Sequence, residues 1–470
     1  MRQRAGPSSE HTLTRDNFTA AALVVLAAGL LSLPWTGHVD DSDAQLYTVV
    51  VRNMVADGTW TRLRYLPTVH PEFREHLPFG FWPYALAVRI GGERLLGGVA
   101  AQFSLGMVLW MLWGARRLGS AAGGRWGVLL LVLSEAFNTT GGEARLDAPL
   151  LFFSTGAAMA ALVLPPRFSR GVLVAVLASA GVLVKGPFGL LPLVAAGVTR
   201  ALLERSWRVV LWVAGVSLVA VLPLTAFLYW DATHLGGTWW RGYGQAQLLA
   251  SALGRRTDGL QPWWYPFSTL GTRFWPGLPF LGLGGVLLVR RGLSAEHRPA
   301  LRRLGLTTLL CLLGLCLPAR KLWHHALVVF PMAALFGGVA IQAAWARWRR
   351  ADSWSPVLVS ALALAVWTGV VTGAGRVLYR PRCLAAGPFA PALSRLTVGE
   401  EILVVSPRPE WAVLSALSAE RRLVPVSTRV LPPPLGARAS VALIHGVPPA
   451  AGSGWRVIGQ RGDWALAMRR

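Results

Sequence analysis

Lysine is all but missing from this chain of 470 residues: only two of its 46 basic side chains, Lys185 and Lys321, are lysines. Acidic residues are scarce too, 22 in all, and charged residues of either sign make up 14%. Soluble domains carry about a quarter charged residues, so this composition excludes a protein dissolved in water along its whole length. There are three cysteines. Cys311 and Cys316 share one apolar run and Cys383 stands alone, which excludes a disulfide framework and a cysteine metal site. No glycine-rich loop follows a strand despite 51 glycines, so there is no nucleotide-phosphate cradle. No segment repeats, which argues against the paired halves of a transporter or lipid flippase.

What the chain has instead is apolar mass. Hydrophobic residues make up 53% and mean hydropathy is +0.46. Runs long enough to cross a bilayer recur down to about Gly375. The fold class is a polytopic α-helical membrane protein. No small-residue cleavage site follows the run at 18–35, which therefore reads as an uncleaved first span. The formal charge of +24 does not indicate nucleic acid. Many arginines sit in short loops between apolar runs, where they orient spans and face anionic membrane lipids.

Placing those loops in the cytoplasm gives about eleven spans. They are 18–35 and stretches near 97–115, 126–141, 147–164, 171–184, 187–203, 209–230, 273–290, 304–318, 322–344 and 354–374. The N-terminus is then inside and the tail outside. This holds only if 78–92 does not cross, and its modest length with Trp82, Tyr84 and Arg89 suits an interfacial helix. The outer loops become 37–96 and 231–272. Residues 43–56 have the spacing of an amphipathic helix. In the second loop, Trp239, Trp240, Trp263, Trp264 and Tyr265 read as interfacial anchors, with sugar stacking as the sharper alternative.

After Gly375 the composition shifts to proline, arginine and short β-rich runs at 402–406, 422–426, 441–445, 455–460 and 464–468, with a helix expected at 409–419. Two domains follow: 1–375 in the membrane and a small outer α/β domain over 376–470.

This topology gathers the scarce charges on one face. Asp40, Asp41 and Asp43 leave the first span together, and Glu75, His76, Asp147 and both lysines fall on the same side. A carboxylate at the lipid boundary can serve as a base toward a substrate that is itself partly in the membrane. Lysine offers a compact point charge in a chain that otherwise uses arginine, for a lipid headgroup or for a substrate anion.

The run Asp43-Ala44-Gln45-Leu46-Tyr47 is followed by Pro71-Glu72-Phe73-Arg74-Glu75-His76-Leu77-Pro78 and Trp82. Further on stand Leu146-Asp147-Ala148-Pro149-Leu150, Lys185-Gly186-Pro187 and Lys321-Leu322-Trp323-His324-His325. In this order they resemble the motifs of GT-C membrane glycosyltransferases of the lipid A aminoarabinose transferase and protein O-mannosyltransferase-like superfamily. The resemblance covers 40–325 and leaves out the tail. It implies an inverting transfer of a sugar from a polyprenyl (undecaprenyl) phosphate donor, on the periplasmic face of a bacterial inner membrane. The acceptor is lipid A, another glycan or a protein.

On that resemblance Asp43 is the general base. Glu75 orients the base, holds the sugar or binds a metal. Lys321, Lys185, His76, Arg273 and His324 surround the donor phosphate. Asp147 and Tyr47 complete the pocket, although Asp147 is as well explained by a structural pair with Arg145. The chain departs from the pattern at Ala44, where relatives have a second acid, at Leu77, where they have proline, and at His76, where many have lysine. The stretch 244–248 lacks the histidine that helps hold a metal in some relatives. No cofactor is required by the sequence, and no metal ligand is carried over. A non-catalytic binder of lipid-linked sugars is the alternative that these departures leave open.

Overall fold

The computed structural model describes residues 42–65, 72–256, 259–289, 296–348 and five strands between 401 and 469, together with Leu23 and Ala27. Apart from those two residues, the expected span at 18–35 lies outside the described residues, as do the span at 354–374 and the helix at 409–419. Among the described residues, Glu93–Arg117, Phe168–Glu204, Trp207–His234, Arg298–Cys316 and Trp323–Ala346 are long and apolar enough to cross a membrane. Asp147–Val163 and Ala121–Val132 are shorter apolar helices. The chain is a multi-pass membrane protein.

Phe168–Glu204 is not one straight rod. A helix over Phe168–Lys185 ends at Gly186, whose φ of 68° suits glycine, and a second helix runs over Leu191–Glu204. Arg200 then hydrogen-bonds the carbonyls of Ala161 and Leu164, close to where the first helix began. A continuous helix would carry residue 200 about 48 Å from residue 168, so the two helices fold back as a hairpin.

One expected span is broken and another starts at a sharp bend. That at 126–141 divides into Ala121–Val132 and Glu135–Thr140, with Ser134 capping the second by accepting from the Phe137 amide at 3.4 Å. That at 273–290 is present as Trp275–Val289, which meets the preceding helix Tyr265–Arg273 at 87°. Pro276 and Gly277 lie at the corner, where a continuous helix cannot keep its hydrogen bonds. Over 78–92 the structure has a turn, Pro78–Phe81, and a ten-residue helix, Trp82–Gly91. That helix is about 15 Å long, half the hydrocarbon thickness.

Phe330–Trp348 is the central helix, buried over most of its length. It meets Ala121–Val132 backbone to backbone: a Cβ on Gly338 would fall 2.2 Å from the Gly123 carbonyl oxygen. Lipid offers no hydrophobic drive between helices, so this close approach supplies the contact.

The tail strands β1 (Glu401–Val405), β2 (Arg422–Val426), β3 (Val441–His445), β4 (Trp455–Arg461) and β5 (Trp464–Arg469) form one sheet in the order β2-β1-β3-β5-β4. β1 pairs parallel with β2 and β3, and β5 pairs antiparallel with β3 and β4. The parallel pairs require crossover connections, as an α/β unit does.

Candidate active site

The elements at one end of the bundle enclose a cavity of about 400 Å³. The helix Ser42–Asp57 contributes Asp43 from its first turn and Tyr47 from the next, four residues on and so on the same face. The loop before Pro78 contributes Glu75 and His76. Lys185 is the last residue of Phe168–Lys185. Lys321 follows an isolated bridge between Leu260 and Arg320, and its amide donates to the Gly259 carbonyl at 2.8 Å. His324 comes from the turn Trp323–Val329. The lining thus holds Asp43, Tyr47, Glu75, His76, Lys185, Lys321 and His324 together, from segments spread over nearly 300 residues of sequence.

Two expected members are not in the lining. Asp147 is buried behind it, with Oδ1 accepting from Lys185 Nζ at 2.6 Å and Oδ2 from Arg145 Nε at 3.0 Å. Arg273 sits with its guanidinium 5.0 Å from the centre of the Trp323 ring, a cation–π position.

The charges sort into a balanced set and a surplus. Arg145 Nη2 donates to Asp43 Oδ2 at 3.2 Å, so Asp43, Arg145, Asp147 and Lys185 form one file of two negative and two positive charges. Lys321 has no carboxylate partner among the described residues; its Nζ donates to the Gln261 carbonyl at 3.3 Å. It is 5% exposed and lines the cavity. Glu75 is exposed and pairs with neither Arg74 nor Arg89 among the described residues; Arg74 is paired with Glu72 at 3.4 Å.

His76 is not a cation here. Burial and the nearby Lys185 ammonium push its imidazole down to about 3, and its Nε2 lies 2.7 Å from the Tyr47 hydroxyl. Burial, then the Asp43 carboxylate, push the Tyr47 phenol upward, so it keeps its proton. His76 thus stands in the cavity wall as a neutral imidazole coupled to the Tyr47 hydroxyl.

Two features escape a reading of the sequence. Arg145 touches Asp43, and the only sign of it was the two-residue spacing to Asp147. Trp239 is fully buried instead of anchoring at the interface, with the Arg74 guanidinium 4.3 Å from its ring centre. Asp231 accepts from the amides of Trp239 and Trp240 at 2.8 and 3.2 Å, which fixes the start of a π-helix, Trp240–Leu249. Tyr243 of that helix lines the cavity. Among the described residues no three His, Cys, Asp or Glu side chains gather as a metal site.

No protein-family model matches this chain, and no curated protein matches it in sequence. Solved structures do. ArnT from Cupriavidus metallidurans bound to undecaprenyl phosphate is similar over 98% of both chains, with a TM-score of 0.68 at 16% identity. The apo state of the same protein matches over 96% of this chain and 97% of its own, again at 0.68 and 16%. The archaeal oligosaccharyltransferase AglB from Archaeoglobus fulgidus, solved with an inhibitory peptide and a dolichol-phosphate, gives 0.53 at 12% identity over 86% of this chain and 64% of its own. The fold of this chain is the GT-C fold of those glycosyltransferases.

Proposed function

We propose that this protein is an inverting glycosyltransferase that moves a sugar from a polyprenyl phosphate, of the undecaprenyl type, to an acceptor on the periplasmic face of a bacterial inner membrane. The observation that carries the reading is the meeting of Asp43, Lys185 and Lys321 in one cavity of about 400 Å³. The likeness to ArnT bound to undecaprenyl phosphate supports the donor class. The acceptor is lipid A, another glycan or a protein; the AglB structure holds an inhibitory peptide together with a dolichol-phosphate, which keeps a protein among the candidates.

The chemistry follows from the charges. Asp43 takes the proton of the acceptor hydroxyl as that oxygen attacks the anomeric carbon. The bond from that carbon to the phosphate oxygen breaks, and polyprenyl phosphate leaves with the electron pair. Inversion results from this single displacement. Negative charge gathers on the departing phosphate, and Lys321, with no counterion among the described residues, is the group to receive it, with Lys185 beside it. Glu75 at the exposed rim holds sugar hydroxyls or orients the acceptor. Tyr47, the neutral His76 and His324 shape the pocket, and Asp147 holds Lys185 in place. Arg273 supports the wall through Trp323.

The same reading completes the architecture. Eleven spans and the outer amphipathic helices make up 1–375, and 376–470 is a periplasmic α/β domain. The N-terminus is cytoplasmic.

Replacing Asp43 by Asn tests the reading. Transfer from a radiolabelled polyprenyl-phosphate sugar should fall by roughly 100-fold or more, the scale of a lost general base. Binding of undecaprenyl phosphate should persist. Wild-type transfer by this variant ends the assignment, and membranes of cells making the wild-type protein that show binding but no transfer point to a non-catalytic binder.

A further inference from the structure

The file of buried charges contains one member with no part in the reaction as written. Arg145 is 1% exposed. Its Nη2 reaches Asp43 at 3.2 Å and its Nε reaches Asp147 at 3.0 Å, while the other oxygen of Asp147 accepts Lys185 at 2.6 Å. Its backbone carbonyl accepts the Tyr84 hydroxyl at 2.7 Å, and its guanidinium lies 5.5 Å from the centre of the Trp323 ring. Arg145 is thus held by the surface helix Ser42–Asp57, the interfacial helix Trp82–Gly91, the head of Asp147–Val163 and the turn Trp323–Val329.

We propose that Arg145 is the positioning residue of the base: it holds the Asp43 carboxylate in one orientation and ties it, through Asp147, to the lysine beside the leaving phosphate. The proposal rests on Asp43 being the base. The Asp43 side chain is 39% exposed, so packing alone does not fix its carboxylate, and the Arg145 Nη2 contact at 3.2 Å supplies a directed hold. A planar guanidinium whose Nε and Nη2 point at two different carboxylates does so, and an ammonium cannot reproduce that fork. Burial of the arginine is tolerated because the four charges sum to zero. A phosphate arriving at Lys185 meets the far end of the same file, whereas Arg145 acts at the end that holds the base. Sequence spacing hides this, because Arg145 and Asp43 lie 102 residues apart.

Turnover, affinity for undecaprenyl phosphate and melting midpoint are measured on the full chain in nanodiscs for Arg145→Lys, Arg145→Gln and Asp43→Asn. Arg145→Lys keeps the buried charge and removes the fork, and it serves if Arg145→Gln does not fold. The expected result for Arg145→Lys is a turnover lower by roughly 10- to 100-fold, the worth of one charge-assisted hydrogen bond, with affinity and melting midpoint close to wild type. Arg145→Gln should lose more turnover than Arg145→Lys. Wild-type turnover in Arg145→Lys overturns the proposal. So does a parallel fall in turnover, affinity and melting midpoint, which marks a purely structural arginine. If Asp43→Asn transfers sugar like the wild type, the base reading itself fails, whatever Arg145 does. If Asp43→Asn is inactive while Arg145→Lys is unimpaired, only the positioning role fails.

Discussion

Lys185 and Lys321 look equivalent in sequence and differ in their partners. Lys185 is bonded to a carboxylate that is itself buried, whereas Lys321 meets only a carbonyl among the described residues. Their substitutions should therefore separate. Lys321→Met should weaken binding of undecaprenyl phosphate by roughly 10- to 100-fold, the value of a hydrogen bond to a charged group, and leave the melting midpoint close to wild type. Lys185→Met should cost stability instead, about 3–5 kcal/mol for breaking a buried pair, seen as a lowered melting midpoint. The reverse pattern, read by titration and thermal unfolding, would contradict the charge count. His76 gives a test of pH. Its imidazole titrates at about 3 when folded and at about 6.5 in the unfolded chain, so only the unfolded state takes up the proton between those values. Its contribution to stability is complete above pH 6.5 and is lost as pH falls toward 3. The melting advantage of wild type over His76→Gln should therefore be larger at pH 7.5 than at pH 5. Asp43 and the two lysines were legible because scarce residues stand out against the composition. Arg145 was not, because arginine is the common base of this chain and only the fold brings it 3.2 Å from Asp43. The neutral state of His76 was equally hidden, since it depends on burial in the fold and then on Lys185, more than 100 residues away.

At the scale of elements, the position of Lys185 depends on how its helix ends. Gly186 has a φ of 68°, and a Cβ there would fall 2.1 Å from the Tyr243 hydroxyl on the π-helix Trp240–Leu249. Gly186→Ala combines a strained backbone with a clash at the cavity wall, and should cost about 1–3 kcal/mol of stability with reduced transfer. Gly215, in the middle of Trp207–His234 with nothing within 4 Å of a Cβ, is the control: Gly215→Ala should be neutral or stabilising by up to about 1 kcal/mol. Equal melting midpoints for the two variants would sink the argument. The Lys-Gly-Pro run pointed to this helix end, and hydrophobic length located most of the helices. Corners were less legible. The break at Ser134 sits inside an apolar run, where hydropathy stays high across the corner and only Ser134 marks the change. The π-helix has no sequence signature at all; its start is set by Asp231 accepting two amides eight and nine residues ahead.

At the scale of the whole molecule, the structure has two chemically different ends. Asp147 opens one helix of a hairpin and Lys185 closes the other, and they touch, so the linker at 164–167 lies at the opposite end. There Arg200 bonds the carbonyls of Ala161 and Leu164, while Arg303 bonds Glu204 and the Leu162 carbonyl. Met159 packs on Gly114, which brings the Arg116–Arg117 end of Leu96–Arg117 to the same level, and Gln342 bonds Ser120 and the Gly123 amide, which brings in the end of Phe330–Trp348. The arginine loops that charge bias places in the cytoplasm thus gather at the end far from the cavity. Single cysteines in a background without Cys311, Cys316 and Cys383 check the sidedness with a membrane-impermeant maleimide on intact spheroplasts. Glu72→Cys and Trp263→Cys should label; Arg117→Cys and Arg205→Cys should label only after the membrane is opened. Labelling of Arg117→Cys from outside would invert the protein and put the cavity in the cytoplasm. Val457→Cys, exposed on β4, settles the remaining question by parity. The chain leaves Trp348 at the arginine end, so a sheet on the cavity side requires an odd number of crossings between 349 and 400, as the single span expected from sequence at 354–374 would give, and labelling of Val457→Cys from outside is the result that agrees.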